Sequence, residues 1–160
     1  MDKKWALVLG ASSGFGGAAA VELAKNGYNI IGVHLDRQVT MPNVQAIIKK
    51  IEKTGNRAYF HNINAADPIR RGDLLDELKE DKNEHFQIHV LIHSLAFGAL
   101  KPFIAKSADD CLSKAQMEMT LDVMAHSLVY WTQGLVQRGL LAKNARIIAL
   151  TSAGSQTVIP

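Results

Sequence analysis

The sequence predicts an α/β protein with a doubly wound parallel sheet of the Rossmann-like type. Short apolar runs alternate along the chain with longer amphipathic stretches, a pattern typical of parallel strands joined by helical crossovers. The apolar runs are continuous rather than interleaved with polar residues, as expected of strands that are covered on both faces. The first run leads directly into a glycine-rich segment at residues 10–17. In such a sheet we expect a ligand at the carboxyl ends of the strands, where the strand order reverses.

Five strands and four helices are predicted, and the helix boundaries carry recognisable signals. Gly27, Gly55 and Gly139 follow the first, second and fourth helices, because glycine readily adopts the conformation just beyond a helix C-terminus. Pro42 and the pair Asp67-Pro68 mark two helix starts, since proline is tolerated in the first turn and aspartate caps it. The predicted strands cover residues 6–9, 29–34, 58–61, 88–93 and 146–150. The predicted helices cover residues 14–26, 42–54, 68–83 and 113–138.

Composition limits the classes of function. The 160 residues are 48% hydrophobic and 21% charged, with a formal net charge of +3, which is the balance of a soluble single domain. No apolar run approaches the roughly 20 residues of a membrane-spanning helix. The basic residues are scattered as pairs, so we expect neither a membrane nor a nucleic acid as partner. The single cysteine, Cys111, allows no disulfide within the chain and favours a cytoplasmic location.

The glycine-rich segment is the strongest functional signal. Its glycines are spaced as G-x-x-x-G-x-G between a strand and a helix. Gly10 permits a tight turn, while Gly14 and Gly16 leave room for a pyrophosphate beside the free N–H groups of the helix N-terminus. The chain is therefore predicted to be a dinucleotide-binding domain over residues 1–160, and the alternative is a glycine-rich turn without a ligand. The predicted dinucleotide contacts in this loop are Gly10, Ser12, Ser13, Gly14, Phe15 and Gly16.

This loop resembles that of the short-chain dehydrogenase/reductase family, T-G-x-x-x-G-x-G, with Leu9 in place of the threonine. The resemblance covers the whole chain. Asn62-Ile63 matches the Asp-Val pair that holds the adenine in that family. The H-S-L-A-F-G segment at residues 93–98 is similar to the divergent branch that contains the enoyl-acyl-carrier-protein reductases. The contacts that this segment implies with the cofactor are those of Ser94, Leu95 and Ala96.

The same resemblance implies where the chemistry lies. Ser152 falls on the family's catalytic serine and would hydrogen-bond the substrate oxygen. Taken without the resemblance, it is better explained as a strand-end serine bonded to backbone. Met124 stands where most of the family has a catalytic asparagine, which enoyl reductases also lack. The family's tyrosine and lysine are expected just beyond Pro160. We therefore expect an N-terminal fragment whose domain is incomplete at its C-terminus.

The end of the second strand bears on the choice of cofactor. An acidic residue there favours NAD, and a basic one favours NADP. Asp36 and Arg37 point in opposite directions. His34, at the usual discriminating position, is not acidic, and Arg37 is placed to reach a 2′-phosphate. The sequence therefore favours NADP over NAD.

Three functions remain open at this stage. The preferred one is NAD(P)-dependent reduction of an enoyl thioester by hydride transfer, as in fatty-acid synthesis. The runner-up is a dehydrogenase acting on a ketone or alcohol, and the third is a nucleotide-binding module without catalysis. The expected partners are a small-molecule or acyl-thioester substrate and either a second copy of the chain or a missing C-terminal segment. No metal site is predicted, because the four-residue spacing of His85, His89 and His93 falls on a strand rather than a helix.

Overall fold

The computed structural model describes residues 4–152 and contains one five-stranded sheet. The strand order is β3-β2-β1-β4-β5, and every neighbouring pair is parallel. The order reverses between β1 and β4, which places the crevice for a ligand at their carboxyl ends. The predicted Rossmann-like fold class is confirmed. The strands are β1 (Lys4–Leu9), β2 (Tyr28–His34), β3 (Ala58–Asn62), β4 (Ile88–His93) and β5 (Leu141–Ala149).

Helices cover both faces of the sheet. Alternate residues of β1 point to opposite sides: Trp5 and Leu7 join one apolar cluster, whereas Ala6 and Val8 join the other. Helices α3 and α5 complete the first cluster, and α1 and α2 complete the second. Each large apolar side chain buried in these clusters stabilises the fold by about 1.5–3 kcal/mol. The helices are α1 (Gly14–Lys25), α2 (Met41–Glu52), α3 (Pro68–Glu80), α4 (Lys114–Leu121) and α5 (Ser127–Gln137).

The long helix predicted over residues 113–138 is not a continuous α-helix. It begins at Lys114 after a capping box formed by Ser113 and Gln116. A π-helical turn, Asp122–His126, then separates α4 from α5. Apolar periodicity does not reveal this turn, because the stretch is apolar around much of its circumference and the one-residue phase shift of a π turn leaves no visible break in the pattern.

Strand β5 begins at Leu141, earlier than the predicted start at residue 146. The pairing register with β4 shifts between Ile88, opposite Leu141, and Val90, opposite Arg146. Asn144 lies within the irregular stretch and has a φ of 61°, a left-handed conformation that asparagine tolerates better than most residues. Because residues of this bulge are polar, the apolar pattern predicted only the second part of the strand.

None of the helices within residues 4–152 is long and apolar enough to cross a lipid bilayer.

Candidate functional site

A cavity of about 450 Å³ opens at the carboxyl ends of the central strands. Its walls come from the loops that follow β1, β2, β3 and β4, together with α4 and the π turn. Ten of the predicted contact residues line it: Gly10, Ser12, Ser13, Gly14, Phe15, His34, Ile63, Ser94, Leu95 and Ala96. Sequence reasoning missed seven others: Val33, Leu35, Asn64, Ala65, Phe97, Met119 and Val123.

The three glycines of the loop have different roles. A Cβ on Gly10 would approach the carbonyl oxygen of Ser94 to well under 3.0 Å, and one on Gly16 would approach the carbonyl oxygen of Gly10 as closely. Both glycines are therefore required by packing. Gly16 is buried and does not line the cavity, and its predicted contact with a dinucleotide stays a prediction. Gly14 has a φ of +53° and nothing within 4 Å of a Cβ position, so the open backbone lies there.

The N-terminus of α1 faces the cavity without a side-chain cap. Ser13 is the N-cap residue, with extended backbone, and its hydroxyl makes no capping hydrogen bond. Its carbonyl accepts from the Gly17 N–H at 2.9 Å, which begins the helix. The N–H groups of the first turn thus have no side-chain acceptor, and they carry the positive end of the helix dipole. This arrangement suits a phosphate group.

The end of β2 is held by polar contacts. The Asp36 carboxylate lies 3.0 Å from Nδ1 of His34. Partial burial of this carboxyl raises its pKa, but hydrogen bonds from Ser12, Thr40 and the histidine outweigh the burial and leave the pKa below 3.8. The side-chain amide of Asn62 clamps the Asp36 backbone, accepting from its N–H and donating to its carbonyl, both at 2.9 Å. Asp36 is consequently ionised at neutral pH and fixed in place.

Not every predicted contact reaches the cavity. At the end of β2, His34 and Leu35 line it, whereas Asp36 and Arg37 do not. The Arg37 residue is exposed. The side chain of Asn62 is engaged with backbone, and its predicted role with an adenine stays a prediction. No carboxylate belongs to the cavity wall within residues 4–152.

Two buried polar side chains support the β4 side of the cavity. Nε2 of His93 lies 2.8 Å from the Ser127 hydroxyl, which donates to the Val123 carbonyl at 2.7 Å. His93 is 2% exposed and Ser127 is fully buried. Burial lowers the pKa of His93 below 6.5, and hydrogen bonding to backbone carbonyls offsets this only in part. The imidazole is therefore neutral at pH 7. No local sequence pattern indicates the role of Ser127, because its partner is 34 residues away along the chain.

Another long-range contact supports the β3 side. The indole N–H of Trp131 donates to the carbonyl of Ala65 at 2.9 Å, and the indole is fully buried. Ala65 lines the cavity. A tryptophan of α5 thereby fixes a loop that follows β3.

The predicted catalytic serine is not part of the cavity wall. Ser152 follows the end of β5, is exposed, and is not one of the cavity-lining residues. Its role stays a prediction. The residues after Ser152 lie outside the described part of the chain. The tyrosine and lysine expected just beyond Pro160 stay a prediction. Within residues 4–152, no three His, Cys, Asp or Glu side chains come together so as to hold a metal ion.

Comparison with known proteins agrees with this geometry. The model of a family described as enoyl-(acyl carrier protein) reductase matches residues 10–160. The chain belongs to the short-chain dehydrogenase/reductase family.

Two curated members of the family are similar in sequence to this chain. It is 28% identical over 149 residues to human 17-beta-hydroxysteroid dehydrogenase type 3, covering 92% of this chain and 46% of the relative. It is 24% identical over 155 residues to 3-oxoacyl-(acyl-carrier-protein) reductase FabG of Buchnera aphidicola, covering 95% of this chain and 56% of the relative. The chain thus spans about half the length of these members.

Solved structures of the family confirm the fold. A short-chain dehydrogenase from Burkholderia cenocepacia in complex with NADP has a TM-score of 0.73 at 24% identity, covering 99% of this chain and 58% of that one. A metagenomic short-chain oxidoreductase in complex with NADP has a TM-score of 0.78 at 17% identity, covering 99% of this chain and 66% of that one.

Proposed function

We propose that this chain binds a nicotinamide dinucleotide, NADP in preference to NAD, and forms the cofactor half of an oxidoreductase. The observation that carries the proposal is the open backbone at Gly14 beside the uncapped start of α1. A turn that binds no ligand needs neither the open backbone at Gly14 nor the uncapped start of α1. A pyrophosphate uses both, because it needs close approach to backbone and N–H donors.

The residues that line the cavity support a dinucleotide lying along it. The N–H groups of the first turn of α1, with the hydroxyl of Ser13, would hold the phosphates, since the Ser12 hydroxyl already donates to Asp36. The loops after β2 and β3, which include His34 and Ile63, would receive the adenosine half. The loop at residues 94–97, Met119 and Val123 would receive the other half. Apolar walls with a few polar groups are usual in such sites.

The preference for NADP rests on charge. Asp36 does not line the cavity, but its ionised carboxylate is bonded to two residues that do, His34 and Ser12, so its charge opposes a 2′-phosphate and the proposed preference depends on the basic side chain of Arg37. His34 occupies the wall, and the exposed Arg37 is within a few residues of it along the chain. Two of the solved relatives named above are complexes with NADP, which supports the same choice.

The proposed reaction is the reduction of an enoyl thioester. The family model described as an enoyl reductase supports this choice, and the bound nicotinamide would supply the hydride. Ser152 would donate a hydrogen bond to the substrate oxygen, where negative charge develops. Reduction of a ketone is the second candidate, supported by a relative named as a 3-oxoacyl reductase.

A second copy of the chain is the proposed protein partner. Several large apolar side chains of α4, the π turn and α5 are exposed, and covering them would be favourable. Sedimentation velocity of the chain at several concentrations tests this association. The exposed members are Met117, Leu121, Met124, Val129 and Tyr130.

The decisive experiment is a calorimetric titration of the 160-residue chain with NADPH and with NADH. We expect tighter binding of NADPH, and Arg37→Gln should remove most of that difference without affecting NADH. Gly14→Ala should weaken both, because its methyl group enters the open backbone site. Gly55→Ala is the matched control, since Gly55 also has a positive φ, +84°, and nothing within 4 Å of a Cβ position. Uptake of neither dinucleotide, or equal effects of both alanine variants, would contradict the proposal.

A further inference from the structure

The π turn between α4 and α5 is stabilised by one serine that satisfies two successive carbonyls. The backbone N–H of Ser127 is directed to the carbonyl of Asp122, five residues earlier. In a regular α-helix this N–H would instead bond to Val123. Here the Ser127 hydroxyl takes that place and donates to the Val123 carbonyl at 2.7 Å. The side chain thus repairs the hydrogen bond that the wider turn gives up.

The same hydroxyl fixes the protonation of His93. Its only hydrogen is donated to Val123, so it must accept from Nε2 of His93, 2.8 Å away. We assign the proton of the neutral His93 to Nε2 on this donor pattern. Because both side chains are buried, breaking either bond leaves a polar group without a partner in the interior, which costs more than losing an exposed bond.

This pair joins two walls of the cavity. His93 is the last residue of β4, and the loop that directly follows it, residues 94–97, lines the cavity. Val123 lies in the π turn and lines the cavity from the helical side. The two hydrogen bonds consequently set the spacing between the strand-end loop and the helix. The adenosine side, at His34, lies across β1 from this pair.

We propose that His93 and Ser127 are positioning residues that hold the cavity wall receiving the nicotinamide end of the dinucleotide. The inference rests on the proposed function. It adds that the two halves of the cofactor depend on different supports: the nicotinamide half depends on the His93–Ser127 pair, and the adenosine half does not.

Two ligands separate these roles: NADPH, and adenosine 2′,5′-bisphosphate, which lacks the nicotinamide half. In Ser127→Ala and His93→Leu, calorimetry should show NADPH binding weakened roughly tenfold, because the ligand must then restore the position of the cavity wall as it binds. Binding of the bisphosphate should be unchanged. His93→Gln keeps an N–H donor and should lie closer to the wild-type chain than His93→Leu. A second readout is amide hydrogen exchange across residues 122–128, which should accelerate in the first two variants.

The chain offers a matched control in Thr132. Its hydroxyl donates to the Leu128 carbonyl at 2.8 Å, the same contact one turn later in α5, and Thr132 does not line the cavity. Thr132→Val should leave both affinities unchanged.

The outcomes are distinct. If the wild-type chain binds neither ligand, the proposed function fails. If it binds both and Ser127→Ala weakens them equally, or weakens neither, the positioning role is overturned while the proposed function stands. Loss of folding in both Ser127→Ala and His93→Leu, with Thr132→Val folded by circular dichroism, would reduce the pair to a stabilising contact and also overturn the inference.

Discussion

The carbonyl oxygen of Gly10 lies so close to Gly16 that a Cβ there would approach it to well under 3.0 Å. The first turn of α1 therefore rests directly on the end of β1. Gly10 in turn leaves no space for a Cβ against the carbonyl of Ser94, beyond β4. The backbone segments at Gly10, Gly16 and Ser94 are therefore in contact where the strand order reverses. Among the three glycines of the G-x-x-x-G-x-G loop, Gly14 alone has open space at its Cβ position.

Replacing Gly16 should accordingly damage the fold, whereas replacing Gly14 should chiefly damage binding. Gly16→Ala forces a methyl group against backbone that cannot move independently, and we expect a loss of about 2–3 kcal/mol in the free energy of unfolding. Gly14→Ala strains a residue with positive φ and should cost about 1 kcal/mol. Urea unfolding followed by circular dichroism measures both. Equal losses would contradict the packing role of Gly16.

The hydrogen bond between Trp131 and the Ala65 carbonyl should be measurable in stability. Trp131→Phe removes the donor at 2.9 Å and leaves a buried carbonyl unsatisfied, so we expect a loss of about 1–3 kcal/mol beyond the lost packing. Trp5→Phe is the control, because Trp5 is also fully buried but its Nε1 has no hydrogen-bond partner within residues 4–152. Urea unfolding should show the larger loss for Trp131→Phe. The opposite order would exclude a structural role for this bond.

The fold and half of the cavity could be predicted because their signals are local. Continuous apolar runs fix the strands, and the rule that ligands bind at strand ends selects the segments that follow them. Ser12, Ser13 and Ser94 were found in this way, since each directly follows a predicted strand or its turn.

The other contacts depend on long-range packing that no local pattern contains. Met119 and Val123 enter the cavity only because α4 and the π turn lie across the end of β4. The turn itself depends on a hydroxyl at Ser127 and a ring at His93, 34 residues apart. Glycine spacing also could not separate the packing role of Gly16 from the open backbone at Gly14. These distinctions require the folded chain.

A bidentate ion pair should make stability depend on pH in the acid range. Arg138 donates from Nε and Nη2 to the two carboxylate oxygens of Asp76, at 2.7 and 3.1 Å, joining α5 to α3. This hydrogen bonding lowers the pKa of Asp76 below 3.8. The unfolded chain thus takes up the proton first as pH falls, and the stabilisation, present above pH 3.8, is lost on acidification through the folded-state pKa.

Thermal unfolding between pH 6 and pH 2.5 tests this sign. Asp76→Asn should unfold at a lower temperature than the wild-type chain near pH 6, and the difference should vanish at the acid end. The control is Asp73→Asn, an exposed residue on the same helix. A difference between wild type and Asp76→Asn that persists unchanged at pH 2.5 would contradict the assignment.

Two histidines, the buried His93 and the partly buried His61, should make the protein less stable on mild acidification. Burial lowers the pKa of both His93 and His61 below 6.5. For His61, Glu77 partly offsets the burial and His34 adds to it, whereas His93 is opposed by backbone hydrogen bonds. The folded chain therefore resists protonation that the unfolded chain accepts. The free energy of unfolding should fall as pH drops from about 7.5 through 6.5, and level off below the folded-state pKa values.

Urea unfolding at half-unit pH intervals between 7.5 and 5 measures this slope. His93→Gln and His61→Gln should each flatten it, and the double variant should flatten it most, whatever their absolute stabilities. The exposed His85 supplies the control, since His85→Gln removes a histidine without removing a buried one and should leave the slope unchanged. The slope of the free energy of unfolding against pH depends only on the difference in bound protons between the unfolded and the folded chain, whereas the midpoint of unfolding also depends on overall stability. A double variant that keeps the wild-type slope would therefore show that the two imidazoles accept protons as easily in the folded chain as in the unfolded one.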